Sequence, residues 1–318
     1  MGQQMLVDGE WEQQFEPDTN DDGSFERQES IFRDRIGDQF PVDQDRYHLY
    51  ISRACPWAHG AVLARNLLGL DGISVDIVDP YREEKGWQFT PEKAGCTEDS
   101  VNGFDYLYEA YQLADEDFTG RVTVPLLWDK EQNTAVNNES IEIMRMFAEA
   151  FETDHDLYPE QHREKIDTVV DDLYDTVNNA VYEAGFATTQ EAYDTAVEKL
   201  FAALERYNDR LSDQRFLVGQ QTTLADLRLF ATLLRFDPVY HTHFKCNKKQ
   251  IRDYEHLQGF LQDVSQLPGV AETVNLAHIK EHYYRTHPSI NPHRIVPPGP
   301  RMSLDADHGR EQLPGQLR

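Results

Sequence analysis

Tyr47-His-Leu-Tyr-Ile51, then Cys55-Pro56-Trp57-Ala58, then Ala61-Val-Leu-Ala-Arg-Asn-Leu-Leu68 is the stretch whose reading decides the fold. An apolar run, a cysteine with a following proline, and a helical stretch succeed one another, which reads as strand, joint and helix. A cysteine at that joint sits where the unpartnered N–H groups of the first helical turn converge with the positive end of the helix dipole. Both favour thiolate over thiol. Pro56 suits the first turn, because its missing N–H is not needed there. Cys55 matches the attacking cysteine of a Cys-x-x-Cys redox motif, but Ala58 stands where the second cysteine would be. A thiol without a resolving partner must be resolved by an external one, which points to chemistry with a small free thiol. The alternative is a buried, inert cysteine; the strand–Cys-Pro–helix context favours the reactive reading.

Outward from this joint, Tyr47–Ile51, Pro56–Leu70 and Ile73–Val78 read as a βαβ unit with parallel strands. Residues 79–120 are polar, with a short helical pattern near Phe104–Leu113, and too long for an ordinary connection; such a segment is usually a functional loop. Val124–Trp128 and Thr134–Val136 form a hairpin across Asp129–Asn133, and Asn138–Phe151 closes the unit as a helix. The order β-α-β-α-β-β-α is that of thioredoxin. Val124-Pro125 opens the third strand and is a candidate cis peptide. The predicted fold class is therefore α/β plus all-α: a thioredoxin-like domain over 45–151, then a helical domain over 158–290. In the latter, Ala196, Val197, Leu200, Phe201, Leu204, Tyr207 and Leu211 share one helical stripe, and Thr223-Leu-Ala-Asp226 is a capping box in its Asp form. Residues 1–44 read as a polar surface arm anchored by Trp11, Phe15, Phe25, Phe32 and Phe40, and residues 291–318 as an irregular Pro- and Gly-rich tail.

The 318 residues suffice for two domains with their own cores. Fifty-seven acidic against 30 basic residues give a net charge of −27, which would repel nucleic acid and anionic membranes; both are excluded as expected partners. The acidity is spread along the chain, as on a salt-adapted surface whose self-repulsion high ionic strength screens. The melting temperature is expected to rise with potassium chloride from dilute buffer to molar salt; a flat profile in differential scanning fluorimetry would show that the acidity is no salt adaptation. Three cysteines, Cys55, Cys96 and Cys246, make no disulfide framework and suggest a reducing cytoplasm. No apolar run approaches the length of a membrane span. His241, His243 and Cys246 have no standard zinc spacing, so no metal is expected, and no phosphate loop or dinucleotide fingerprint is present.

A thioredoxin-like unit followed by a helical domain is similar to the architecture of the glutathione transferases. Cys55-Pro-Trp-Ala-His59, Val122-Thr-Val-Pro-Leu-Leu-Trp-Asp129, Asn137-Asn-Glu-Ser-Ile-Glu142, Val181-Tyr-Glu-Ala-Gly-Phe-Ala187, Phe236-Asp-Pro-Val-Tyr-His-Thr-His-Phe-Lys-Cys-Asn247 and His278-Ile-Lys-Glu-His-Tyr-Tyr284 with Ile290-Asn-Pro292 resemble the glutathionyl-hydroquinone reductases, or Xi-class transferases, along most of residues 1–300. The resemblance implies reduction of glutathionyl-hydroquinones, a quinone thioether class, through a mixed disulfide on Cys55, with glutathione or a related γ-glutamyl thiol as co-substrate.

It also implies roles. Glu139 and Ser140 would bind the α-ammonium and α-carboxylate of the γ-glutamyl end, where the bland alternative is a plain helix cap. Backbone groups of Val124 would pair with the cysteine backbone of the thiol, like an added strand. Trp87 would lie beside the bound thiol, or merely anchor its loop; Arg121 would meet a ligand carboxylate, or stay a solvated surface charge. Tyr182, Tyr240 and one of Tyr283 or Tyr284 would line the acceptor site, Tyr182 donating to a hydroquinone oxygen, unless they only pack. A homodimer is implied. Two other functions stay open: a conventional transferase conjugating electrophiles, and a non-enzymatic interaction module, which the retained Cys55, Pro125, Glu139 and Ser140 disfavour.

Overall fold

Residues 3–14 and 19–315 are described in the computed structural model; Phe15 lies outside them. The chain forms two compact units, one of Met1–Pro17, Gln28–Glu152 and Asn275–Val296, the other of Asp18–Arg27, Thr153–Val274 and Pro297–Arg318.

In the first unit the elements are β1 (Gln3–Val7), β2 (Glu10–Gln14), β3 (Tyr47–Ile51), α1 (Pro56–Leu67), β4 (Ser74–Ile77), α2 (Leu107–Ala114), β5 (Gly120–Arg121), β6 (Leu126–Asp129), β7 (Thr134–Asn137) and α3 (Ser140–Ala150). The main sheet runs β4-β3-β6-β7, with β3 and β4 parallel and the other pairs antiparallel. All five residues of β3 are buried, which is why this strand reads as a continuous apolar run. Helix α1 packs on α3, and Gly60 permits the approach: a Cβ there would come within 2.9 Å of Met144 Sδ. The thioredoxin order is present, and the Val124-Pro125 peptide is cis.

The long segment after β4 is ordered by buried carboxylates. Asp99 accepts from the Tyr50 hydroxyl (2.9 Å) and from the N–H groups of Val101, Asn102 and Phe104. Asp76 accepts from both the N–H and the hydroxyl of Ser100, each at 2.7 Å.

The N-terminal arm is more structured than its polarity suggests. Strands β1 and β2 form a hairpin, and β1 also pairs with β5 in a second, three-stranded sheet. The hairpin turns on Asp8 and Gly9, both left-handed (φ 47° and 74°), as a two-residue turn requires. A Cβ on Gly9 would lie 1.9 Å from the Glu116 carbonyl oxygen. Farther on, the arm runs beside β7: Asn138 N–H donates to Phe32 O, and Asp34 N–H to Val136 O. Arg33 pairs with Glu142, and Arg35 with Glu149 at 3.0 Å. Trp11 stacks on Tyr108, and Phe32 on Phe118.

In the second unit, α4 (Arg163–Leu173), α5 (Ala180–Phe186), α6 (Gln190–Arg210), α7 (Leu224–Arg235) and α8 (Glu255–Ser265) make a helical bundle. Every residue of α7 is buried. The expected capping box is present: Asp226 accepts from the N–H and hydroxyl of Thr223, and also from Leu217 N–H. Single π-turns occur at Tyr174–Asn178 and Phe236–Tyr240, the second at Pro238, whose missing N–H breaks the α-helical ladder. The tail is fastened to the second unit: the buried Arg310 donates to the carbonyls of Leu211, Gln214 and Arg215. Helix α9 (Leu276–Thr286) belongs to the first unit. Among the described residues, no helix is long and apolar enough to cross a membrane.

Candidate active site

Cys55 is the N-cap residue of α1, with extended backbone (φ −77°, ψ 124°) and Pro56 in the first turn. A side chain at this position adjoins the N–H groups of the first helical turn, at the positive end of the helix dipole. The half-buried thiol lies 3.4 Å from the carbonyl oxygen of Val124, to which it donates. The residue before the cis-proline and the cysteine therefore face one another, though 69 positions apart in sequence. The other thiols differ. Burial raises the Cys96 thiol above its ordinary range, and fully buried Cys246 is raised much further. Neither is suited to nucleophilic work.

Glu139 is the N-cap of α3, and Ser140 its first residue. The Glu139 carboxylate accepts from Ile141 N–H at 3.4 Å through Oε1 and from the Ser30 hydroxyl at 3.0 Å through Oε2. Its own N–H donates to Asn137 Oδ1 at 2.7 Å. Buried Ser140 opens the helix, whose leading N–H groups favour an anion. Half-buried Arg121, in β5, borders a small cleft with Gln28, Ser30, Thr123 and Asn138, and its N–H donates to Gln28 Oε1 at 3.2 Å.

Trp87 is buried in the long loop. Its ring stacks on His282 of α9 (5.2 Å between centroids, 16° between planes), and the Arg82 guanidinium lies 5.1 Å from its centroid. His282 is fixed in turn, its Nδ1 2.6 Å from Pro80 O. Tyr283 lies edge-on to His282 and His287, and the carbonyl of the neighbouring Tyr284 accepts from Asn291.

Tyr182 and Tyr240 meet in the second unit, with ring centroids 5.9 Å apart. Phe25, Phe186 and Phe244 complete an aromatic cluster around Tyr182, and the Arg27 guanidinium lies 4.7 Å over its ring. Cys55, Trp87, Arg121, Val124, Glu139, Ser140 and Tyr283 belong to the first unit, and Tyr182 and Tyr240 to the second. Sequence reasoning missed Ser30, Arg27 and His282 altogether. Each contacts a residue more than 100 positions away; Ser30 and Arg27 are polar side chains in an acidic arm that carries no local pattern, and nothing beside His282 on α9 points to Trp87. His243 is buried, which lowers its pKa to about 4. Among the described residues, no group of three or more His, Cys, Asp or Glu side chains could hold a metal ion.

Comparison with known proteins bears on this geometry. Residues 54–150 match the model of the glutathione S-transferase N-terminal domain, and residues 190–263 that of the C-terminal domain. The chain is 48% identical to the glutathionyl-hydroquinone reductase YqjG of Escherichia coli K12, over 98% of this chain and 99% of that one. The solved structure of a Xi-class transferase from Natrialba magadii is 52% identical, with a TM-score of 0.93, over 99% of this chain and 98% of that one. The glutathione-bound structure of YqjG superposes with a TM-score of 0.89 at 47% identity, over 97% of this chain and 99% of that one.

Proposed function

Because the chain belongs to the glutathione S-transferase family, in its Xi-class glutathionyl-hydroquinone reductase branch, we propose that it is a thiol-dependent reductase that frees hydroquinones from their glutathionyl thioethers. The observation that carries this reading is the thiol of Cys55 at the N-cap of α1, 3.4 Å from the Val124 carbonyl, with Ala58 where a resolving cysteine would stand. The Cys55 thiolate attacks the glutathionyl sulfur. An S–S bond forms and the bond from sulfur to the ring carbon breaks; the electron pair passes to that carbon, which takes up a proton. Hydroquinone leaves. A second glutathione thiolate then attacks the glutathionyl sulfur of the mixed disulfide, releasing glutathione disulfide and the Cys55 thiolate. One thioether and one thiol become one hydroquinone and one disulfide.

In this reading the thiol peptide lies along the Val124 backbone, with its γ-glutamyl ammonium at Glu139 and its α-carboxylate at Ser140 and the first N–H groups of α3. Arg121 faces a ligand carboxylate and Trp87 flanks the thiol. Tyr182, Tyr240 and Tyr283 serve the acceptor, with the Tyr182 hydroxyl donating to a ring oxygen. We further propose a cytoplasmic homodimer.

Mixing enzyme with one equivalent of glutathionyl-hydroquinone should leave a single glutathione adduct on Cys55 by mass spectrometry. Tyr182→Phe should lower steady-state turnover by roughly tenfold to a hundredfold while the adduct still forms. An unmodified Cys55 after release of hydroquinone would overturn the mechanism.

A further inference from the structure

We propose that Ser30 of the N-terminal arm is a positioning residue of the thiol site, holding the Glu139 carboxylate in place for the α-ammonium of the γ-glutamyl group. The inference rests on the reading of Glu139 given above and extends it to a part of the chain outside the thioredoxin order.

The Ser30 hydroxyl lies 3.0 Å from Glu139 Oε2 and 3.2 Å from the Asn138 carbonyl. It has one proton to give. A carboxylate is the stronger acceptor, so that proton goes to Glu139. The carboxylate is then tied at both oxygens, to its own helix through Ile141 N–H and to the arm through Ser30. Two oxygens offer about four lone-pair directions, so room remains for an ammonium.

Ser30 is itself fixed from both sides. Gln28 accepts from Arg121 N–H, Phe32 N–H donates to Asn138 Oδ1, and Asn138 N–H donates to Phe32 O. Little side-chain freedom remains to be lost when a ligand arrives.

A competitor explains why the tie is needed. The Arg33 guanidinium, held by Glu142, also feels the charges of Glu139 and Glu29, and these acids together hold its pKa above the ordinary value. Without Ser30, Glu139 keeps its attraction to that guanidinium and loses one of its two tethers. Through this one hydroxyl, the arm selects thiols that carry a γ-glutamyl amine.

The test uses the full-length protein and two probes, glutathione and deaminoglutathione, which lacks only the α-amino group, both kept reduced with a phosphine. Ser30→Ala should weaken glutathione binding by roughly tenfold in calorimetric titration, the value of one charge-assisted hydrogen bond. Deaminoglutathione binding should not change. In turnover assays KM for the thiol should rise with kcat unchanged, and Ser30→Thr, which keeps the hydroxyl, should restore both.

Equal loss for the two thiols, or no loss for either, would overturn the role of Ser30. Glu139→Gln separates this inference from the reading beneath it. If Glu139→Gln discriminates between the two thiols and Ser30→Ala does not, only the inference about Ser30 falls. If Glu139→Gln also fails to discriminate, Glu139 is not the ammonium acceptor and both fall.

Discussion

Cys55→Ser should lose reduction of a glutathionyl-hydroquinone by roughly a thousandfold or more, in the range seen when an attacking nucleophile is removed. A hydroxyl cannot form the mixed disulfide that the cycle passes through. The backbone around residue 55 should not change, because the N-cap of α1 makes no side-chain capping bond and serine can reproduce the bond from the thiol to the Val124 carbonyl. The same substitution separates the two enzymatic readings. A serine hydroxyl at the helix start can hydrogen-bond the thiolate of a bound glutathione and leave it free to attack an electrophile. Conjugation of a chloronitrobenzene should therefore appear or rise as reduction vanishes. If Cys55→Ser kept full reductase activity, direct attack by the protein would be wrong and the free thiol would itself be the reductant.

Asp226→Ala should give the largest loss of stability, about 3 kcal/mol or more by urea unfolding, since it strands the N–H groups of Leu217 and Thr223 and the Thr223 hydroxyl inside the second unit. Burial raises the Asp226 pKa from 3.8 to about 6, against the pull of the Leu217 and Thr223 hydrogen bonds. In the unfolded chain this carboxyl takes up its proton only near the ordinary value; in the folded protein it does so already near 6. Acidification between those values favours the folded state through this group, and the contribution is lost as pH rises through about 6. The stability gap between the parent protein and Asp226→Ala should therefore widen as pH falls from 7 to 4. A gap that narrows on acidification would show that the hydrogen bonds outweigh burial at this carboxylate.

The parts of the fold that a local pattern encodes were legible. β3 announces itself by five consecutive buried residues, α1 by Pro56 in its first turn, and α7 by Thr223 and Asp226 three positions apart. The hairpin β1–β2 was not read, although Asp8-Gly9 is a strong turn signal. Its strands, Gln-Gln-Met-Leu-Val and Glu-Trp-Glu-Gln-Gln, carry no apolar alternation to mark a buried face. The places of Cys55 and Glu139 at helix starts were legible, and their proposed roles came from the resemblance. Ser30 and His282 were not legible. Their importance lies in a partner far along the chain, Glu139 for one and Trp87 for the other, and nothing near either residue records it. The fastening of the tail by Arg310 escaped for the same reason, since Pro and Gly content reports the absence of helix and strand and not the presence of docking.

The covalent path does not respect the two units. The chain passes from one to the other at residues 27–28, 152–153, 274–275 and 296–297, so each unit draws on separate stretches of sequence. The familiar cut between the halves of such a protein, near residue 152, would leave Trp87 in a fragment without the His282 on which it stacks, and Tyr182 in a fragment without Phe25 and Arg27. Recombination at that point between two relatives would mix the two faces of each ring stack. A chimera that keeps these ring stacks intact therefore has to move the N-terminal arm and α9 together with the parts they complete.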